Sequence, residues 1–157
     1  MDFISMLKPL PMLLAAALSS ASWAAGGQEA TPSARRFAPR EAIVAAADAA
    51  PRRVFGTFAM RVTATGRVRS RVYLNSQDDY RDQRNLTIAI QPHTATALAR
   101  RNGAPPERFY RGRDIEVRGA AQRVRIHIID DNGRPTGLYY YQTHVVVTDA
   151  DQISVVG

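Results

Sequence analysis

Polar and apolar residues alternate through most of the chain after residue 53, and a period of two marks out strands. Over 54–65, Val54, Gly56, Phe58, Met60, Val62 and Ala64 share one face, with Thr57, Arg61, Thr63 and Thr65 on the other. This predicts a strand ending in a turn at Thr65-Gly66. A second strand over 67–75 would point Val68, Ser70, Val72 and Leu74 inward, leaving Arg67, Arg69, Arg71, Tyr73 and Asn75 outside. A third, around 86–90, has Leu86, Ile88 and Ile90 inward and Asn85, Thr87 and Ala89 outward. Ile115 and Val117 bury a fourth strand over 114–118. Gly119-Ala120-Ala121 then reads as a bulge, because the inward set changes phase to Val124, Ile126 and Ile128. Asp130-Asp131-Asn132-Gly133-Arg134-Pro135 is a strong hairpin turn. The chain returns as a strand over 139–148 and finishes with another over 153–156.

Two segments break the period of two. Residues 39–50 are dominated by Ala, open with a Pro and an acid, and stop at Pro51, which predicts a helix with a small-residue face suited to lie on a larger body. Pro92 closes the third strand, and Thr94 is placed to cap a short helix over 95–101, which Asn102-Gly103 ends. Three strands, a helix and two further strands is the order of the OB-fold, a small Greek-key barrel. The expected architecture is therefore mainly β: an OB-fold-like barrel over 52–157 with one central helix, preceded by an N-terminal helix over 39–51.

The start of the chain has a different character. The apolar run 10–18, followed by Ser22 and Ala24 at small-x-small spacing, reads as a signal peptide over 1–24, too short for a permanent membrane anchor. Residues 25–38, rich in Ala, Gly, Ser, Pro and Arg, read as a disordered linker. The expected location is periplasmic or secreted, with no transmembrane anchor. With no Cys in 157 residues, disulfides, thiolate metal sites and cysteine nucleophiles are excluded. Net charge is +7 and the only lysine is Lys8, so beyond the leader every always-cationic side chain is Arg. Such a surface attracts polyanions.

The stretches 71–90, Arg118-Gly119-Ala120-Ala121-Gln122-Arg123 and Tyr139-Tyr140-Tyr141-Gln142-Thr143-His144 resemble those of uncharacterised exported bacterial proteins made of a leader and one OB-fold-like domain. The resemblance covers most of the chain from about Val54 and implies a nucleic-acid-binding-like barrel. Staphylococcal-type thermonucleases also use this barrel. Their catalytic arginines and carboxylates have no matched positions here, so nuclease activity is not implied.

Candidate chemistry concentrates on the outer faces. Arg67, Arg69 and Arg71, two residues apart, would leave one side of a single strand, with Tyr73 as a stacking ring. Arg123, Arg125 and His127 form a second row, and Tyr110 lies among Arg108, Arg111 and Arg113. Asp78, Asp79 and Asp82 are weak candidates for a hard cation, with neighbouring Arg81 and Arg84 better placed to neutralise them and Asn75 to tie the loop backbone. Tyr139 and Tyr141 share a strand face, and Tyr140 takes the other. No histidine has companions at zinc-ligand spacing, and no nucleophile elbow or phosphate loop is present. These features predict a non-catalytic binding module without a cofactor. Its expected partner is a nucleic acid or other polyanion, held by Arg67, Arg69, Arg71, Tyr73, Arg123 and Arg125. The alternative is a protein-interaction or envelope-maintenance module that meets an envelope protein through the long hairpin and edge strands. Oligomeric state is not legible.

Overall fold

A computed structural model describes residues 35–157. The expected signal peptide and residues 25–34 of the expected linker lie outside the described residues. Eight strands and three helices follow one another: β1 (Arg36–Phe37), α1 (Pro39–Ala49), β2 (Val54–Arg61), β3 (Ala64–Val68), β4 (Arg71–Asn75), β5 (Leu86–Ile90), α2 (Pro92–Asn102), α3 (Pro106–Phe109), β6 (Asp114–Ile129), β7 (Pro135–Val147) and β8 (Ile153–Val155).

The pairings are those of an OB-fold. β2 pairs antiparallel with β6, β6 with β7, β4 with β5 and β3 with β4, and β5 runs parallel to β7. The two ends of this order, β2 and β3, are successive parts of one bent strand. At the bend, Val62 bonds the backbone of Arg113 and Gly112, and the Thr63 N–H donates to the Asn75 carbonyl. The chain thereby leaves β6 and joins β4, which curls the sheet into a barrel. Phe58, Val62, Val72, Leu74, Ile88, Ile90, Val117 and Val145 fill it.

Helices close both ends. α2 follows directly from Ile90 and buries Ala95 and Leu98. Pro92 occupies its first turn, so the missing N–H costs nothing there, and Gly103 ends it with φ +70. Thr94 is not the cap expected from the sequence; it lies inside the helix, buried. At the Leu86 end lies α1, which shares a surface depression with Gln83 and Arg84. Its small face, Ala42 and Ala46, is wholly buried in the core, as a lid of small residues should be. Glu41 accepts a hydrogen bond from the Ala38 N–H at 2.9 Å, satisfying one group at the helix start.

The expected linker ends earlier than its composition suggests. Arg36 and Phe37 pair in parallel with Thr57 and Phe58, and the Phe37 and Phe58 rings stack at 5.4 Å. One buried aromatic thus overrides the polar, Ala-rich composition around it. Glycine at position 56 makes room for this segment: a Cβ there would lie 2.5 Å from the Arg35 carbonyl oxygen and 2.6 Å from the Phe37 ring.

Four further expectations are corrected. The first hairpin turns at Arg69-Ser70, not at Thr65-Gly66, and Arg69 takes the positive φ, 55°. The register from Val54↔Ala121 to Gly56↔Gly119 is unbroken, so there is no bulge at 119–121. Val124, Ile126 and Ile128 are not core residues; the strand leaves the barrel there, and its former core face becomes Arg123, Arg125 and His127. A register shift does occur, between His127 and Ile129 near the hairpin tip. Lastly, Asn85, Thr87 and Ala89, expected outside, are buried. The outer side of β5 is covered by the 76–85 loop and by the neighbours that enclose a groove.

Candidate functional site

The long β6–β7 hairpin and the sheet beside it carry two distinct surfaces. Opposite residues of an antiparallel pair project to the same side. The pairs Arg123↔Thr143, Arg125↔Tyr141 and His127↔Tyr139 therefore form one face, and Gln122↔His144, Val124↔Gln142 and Ile126↔Tyr140 form the other.

The first face is a ladder of cations and rings. The Arg123 guanidinium lies 3.8 Å from the Tyr141 centroid, and that of Arg125 lies 4.6 Å from Tyr139. Tyr139 and Tyr141 meet edge to face at 5.6 Å. Arg125 donates to the Tyr141 hydroxyl at 3.4 Å. That bond, with the Arg125 and Arg123 charges, pulls the Tyr141 phenol below its ordinary pKa. Neither arginine forms an ion pair among the described residues. Ala50 and Pro51, just after α1, border the foot of the ladder beside Arg123 and Tyr141. The row at Arg123, Arg125 and His127 is thus as expected, and the split of the three tyrosines is too.

The row at Arg67, Arg69 and Arg71 is not. The corrected turn places Arg67 on β3, Arg69 in the turn and Arg71 on β4. Arg67 stands opposite Val72 in the ladder. Its fork is taken by Glu107 of α3 through two bonds of 2.9 Å. That pairing holds the Glu107 carboxyl below its ordinary range and raises the Arg67 pKa. Arg71 donates to the Gln91 side chain at 3.2 Å. Tyr73 lies with its ring 6.3 Å from that of His144, on the same side of the sheet.

Tyr73 and His144 belong to the second surface, a groove of about 450 Å³ across β3, β4, β5 and β7. In register, Asn75 faces Thr87 and Thr87 faces His144, a polar row across three strands. The row is braced by Asn85, whose Oδ1 accepts from the Gln77 N–H at 3.1 Å and whose Nδ2 donates to the Tyr80 carbonyl at 3.3 Å. The same Nδ2 reaches Asn75 Oδ1 and Thr87 Oγ1, each at 3.0 Å. Asn85, rather than Asn75, therefore ties the loop backbone. Gln142 Nε2 donates to the Tyr80 carbonyl at 2.9 Å, and its Oε1 lies 2.7 Å from His144 Nε2. Burial, then the Arg71 charge, hold the His144 pKa down at about 4. The groove was not legible in the sequence because its residues lie on several strands and a loop far apart along the chain. The one signal was a polar outer face (Asn75, Thr87, His144) that no hairpin alone would bring together.

The acidic loop is charge-paired. Arg84 grips Asp82 through bonds of 3.1 and 2.7 Å, which hold the Asp82 carboxyl at about 2. Asp79 accepts from the Arg81 N–H at 2.9 Å. Among the described residues, no group of three or more His, Cys, Asp or Glu could hold a metal ion, so Asp78, Asp79 and Asp82 do not form a cation cage. Tyr110, expected beside its arginines, is buried with its hydroxyl accepting from Asn102, and offers no stacking surface. No helix among the described residues is long and apolar enough to cross a membrane.

No family model matches the chain, and no curated protein matches it. Among solved structures it is similar to a chain assigned as an aspartyl-tRNA synthetase from Leishmania major Friedlin, at 13% identity and a TM-score of 0.42, over 85% of this chain and 23% of that one. It is similar also to the aspartyl tRNA synthetase from Entamoeba histolytica, at 16% identity and a TM-score of 0.42, over 97% of this chain and 28% of that one. The chain thus spans about a quarter of the length of each. The fold assignment rests on the strand pairings.

Proposed function

We propose that this protein is a non-catalytic, exported OB-fold module that binds an anionic strand, a nucleic acid or a comparable polyanion, on the Arg–Tyr ladder of its hairpin. The observation that carries the reading is the pair of exposed guanidinium groups of Arg123 and Arg125, stacked on Tyr141 and Tyr139. Stacking fixes the orientation of each fork before a ligand arrives, and a planar fork bonds phosphate or carboxylate bidentately. Residues two apart on a strand are about 7 Å apart, so the two forks address successive anionic groups of an extended polymer. Tyr139, half exposed, offers a ring for stacking beside them.

Fluorescence anisotropy of the full chain with single-stranded oligonucleotides and with sulfated glycans, across a salt series, tests the proposal. Affinity should fall steeply with salt, because binding releases counterions. Absence of binding to both polymers at low salt overturns it.

A second reading has its own observation. The hairpin extends beyond the barrel and exposes Ile129 and Leu138, 61% and 64% accessible, near its tip. Such a tip suits an envelope protein with a complementary apolar recess. A partner recovered from the envelope fraction after nuclease treatment, and lost when the Asn132-Gly133 turn is shortened, would favour this reading over the first.

A further inference from the structure

The groove on the opposite side of the hairpin presents hydrogen-bonding groups whose orientation is settled by fixed backbone atoms. The Gln77 N–H must meet an oxygen and the Tyr80 carbonyl must meet an N–H, so the Asn85 amide has one orientation. Its Nδ2 then requires an oxygen from Asn75, which turns the Asn75 Nδ2 away from the network. The Tyr80 carbonyl orients the Gln142 amide in the same manner. Gln142 Oε1 can only accept, so His144 carries its proton on Nε2 and leaves Nδ1 as a bare acceptor. Neither Asn75 Nδ2 nor His144 Nδ1 has a partner among the described residues, and neither is sealed from solvent, the one buried unpartnered side-chain atom being Thr94 Oγ1. Both residues line the groove, so it offers one donor on β4 and one acceptor on β7, with Thr87 of β5 between them.

The rest of the lining restricts the ligand. Tyr73, Tyr80 and Tyr140 supply ring surface, and Val68 and Ile126 supply apolar edges. The nearest cation in the lining, Arg67, is already held by Glu107, and Asp78 adds a negative charge at the rim. An anion would find no free cation among the lining residues, since Arg71, whose charge reaches His144, lies outside the lining. A planar, neutral ring with an N–H on one edge and an acceptor on another meets every requirement.

We propose that this groove binds a neutral heteroaromatic ring of the nucleobase class, stacked against Tyr73, accepting from Asn75 Nδ2 and donating to His144 Nδ1. The site is separate from the Arg–Tyr ladder, which lies on the reverse of the hairpin, and it stands whether or not the ladder binds a polyanion. Its volume of about 450 Å³ falls within the range of small-molecule sites.

The test is an amide-shift titration of the ¹⁵N-labelled full chain with adenosine, guanosine, cytidine and uridine, with benzyl alcohol as a ring lacking the donor–acceptor edge. At least one nucleoside should shift Tyr73, Thr87 and His144 and bind at least tenfold more tightly than benzyl alcohol. His144→Phe, which keeps a ring and removes the acceptor, should weaken that binding about tenfold. Asn75→Asp, which keeps the oxygen bonded to Asn85 and removes the donor, provides a second variant should the first fail to fold. Arg123→Ala with Arg125→Ala should leave nucleoside binding intact. Silence with all four nucleosides overturns the proposal, as does equal binding of benzyl alcohol, or shifts centred on Tyr141 instead of the groove.

Discussion

Arg123 and Tyr141 stand on neighbouring strands with the guanidinium 3.8 Å from the ring centroid, at the point where the hairpin leaves the barrel. The same strand faces point into the core at Val117, Ala121, Val145 and Val147. An unchanged period of two therefore turns core positions into surface ones, without a bulge, once the strands outrun the barrel.

If the ladder binds an anionic strand, Arg123→Ala and Arg125→Ala should each weaken binding and each lower the slope of log affinity against log salt by about 1. Both side chains are exposed, so neither variant should shift the melting temperature appreciably. Anisotropy across a salt series, paired with thermal melts, checks both parts.

Arg67 should behave differently. Its fork is occupied by Glu107, so Arg67→Ala should leave oligonucleotide affinity unchanged and reduce stability by at most about 1 kcal/mol. Because Arg67 holds the Glu107 carboxyl below its ordinary pKa, this contribution is present at neutral pH and disappears on acidification. Urea unfolding at low and high salt should show a smaller difference from the wild type at high salt.

His144 makes the fold sensitive to mild acid. Its pKa, about 4 in the folded chain against 6.5 ordinarily, is depressed by burial and by Arg71. The unfolded state therefore takes up the proton first. The contribution is complete above the unfolded value and is lost as pH falls through about 4, on the order of 3 kcal/mol in all. Asp78 is the acidic residue in the lining of the groove that holds His144, and Tyr73 and Gln142 are its neutral neighbours. Urea unfolding between pH 7 and pH 4 measures the loss, and His144→Gln should flatten it.

The N-terminal strand depends on the absence of one side chain. Gly56→Ala would press a methyl group onto the Arg35 carbonyl and the Phe37 ring, at an expected cost of roughly 1–3 kcal/mol. Phe37→Ala should cost about 3–5 kcal/mol through loss of the stacked, buried ring. Chemical denaturation of both variants, with hydrogen exchange at Thr57, should show β1 released in each.

Asn85→Ala should be among the most damaging polar substitutions. It removes the bonds to Gln77, Tyr80, Asn75 and Thr87 and leaves buried partners unmet, at an expected cost on the order of 3 kcal/mol. Hydrogen exchange should accelerate through the 76–85 loop while β2 and β6 stay protected.

The order of strands and helix, the turn at Asn132-Gly133, the lid of small residues on α1 and the outward row at Arg123 and Arg125 were legible in the sequence. Each depends on local periodicity or on turn chemistry. The four-residue misplacement of the first turn had a physical cause as well: Thr65-Gly66 has turn composition, and Arg69 reveals its positive φ only once β3 has paired with β4. That error joined Arg67, Arg69 and Arg71 into one row that the fold divides. What the sequence determined by itself was the alternation that makes a barrel and the basic charge that favours an anionic partner. Tertiary structure decided which polar residues face solvent and which face one another. Asn75 comes from β4, Thr87 from β5, Gln142 and His144 from β7, and Asn85 and Tyr80 from a loop. They become one groove because closing the barrel sets β4, β5 and β7 side by side, a long-range pairing that no local pattern encodes.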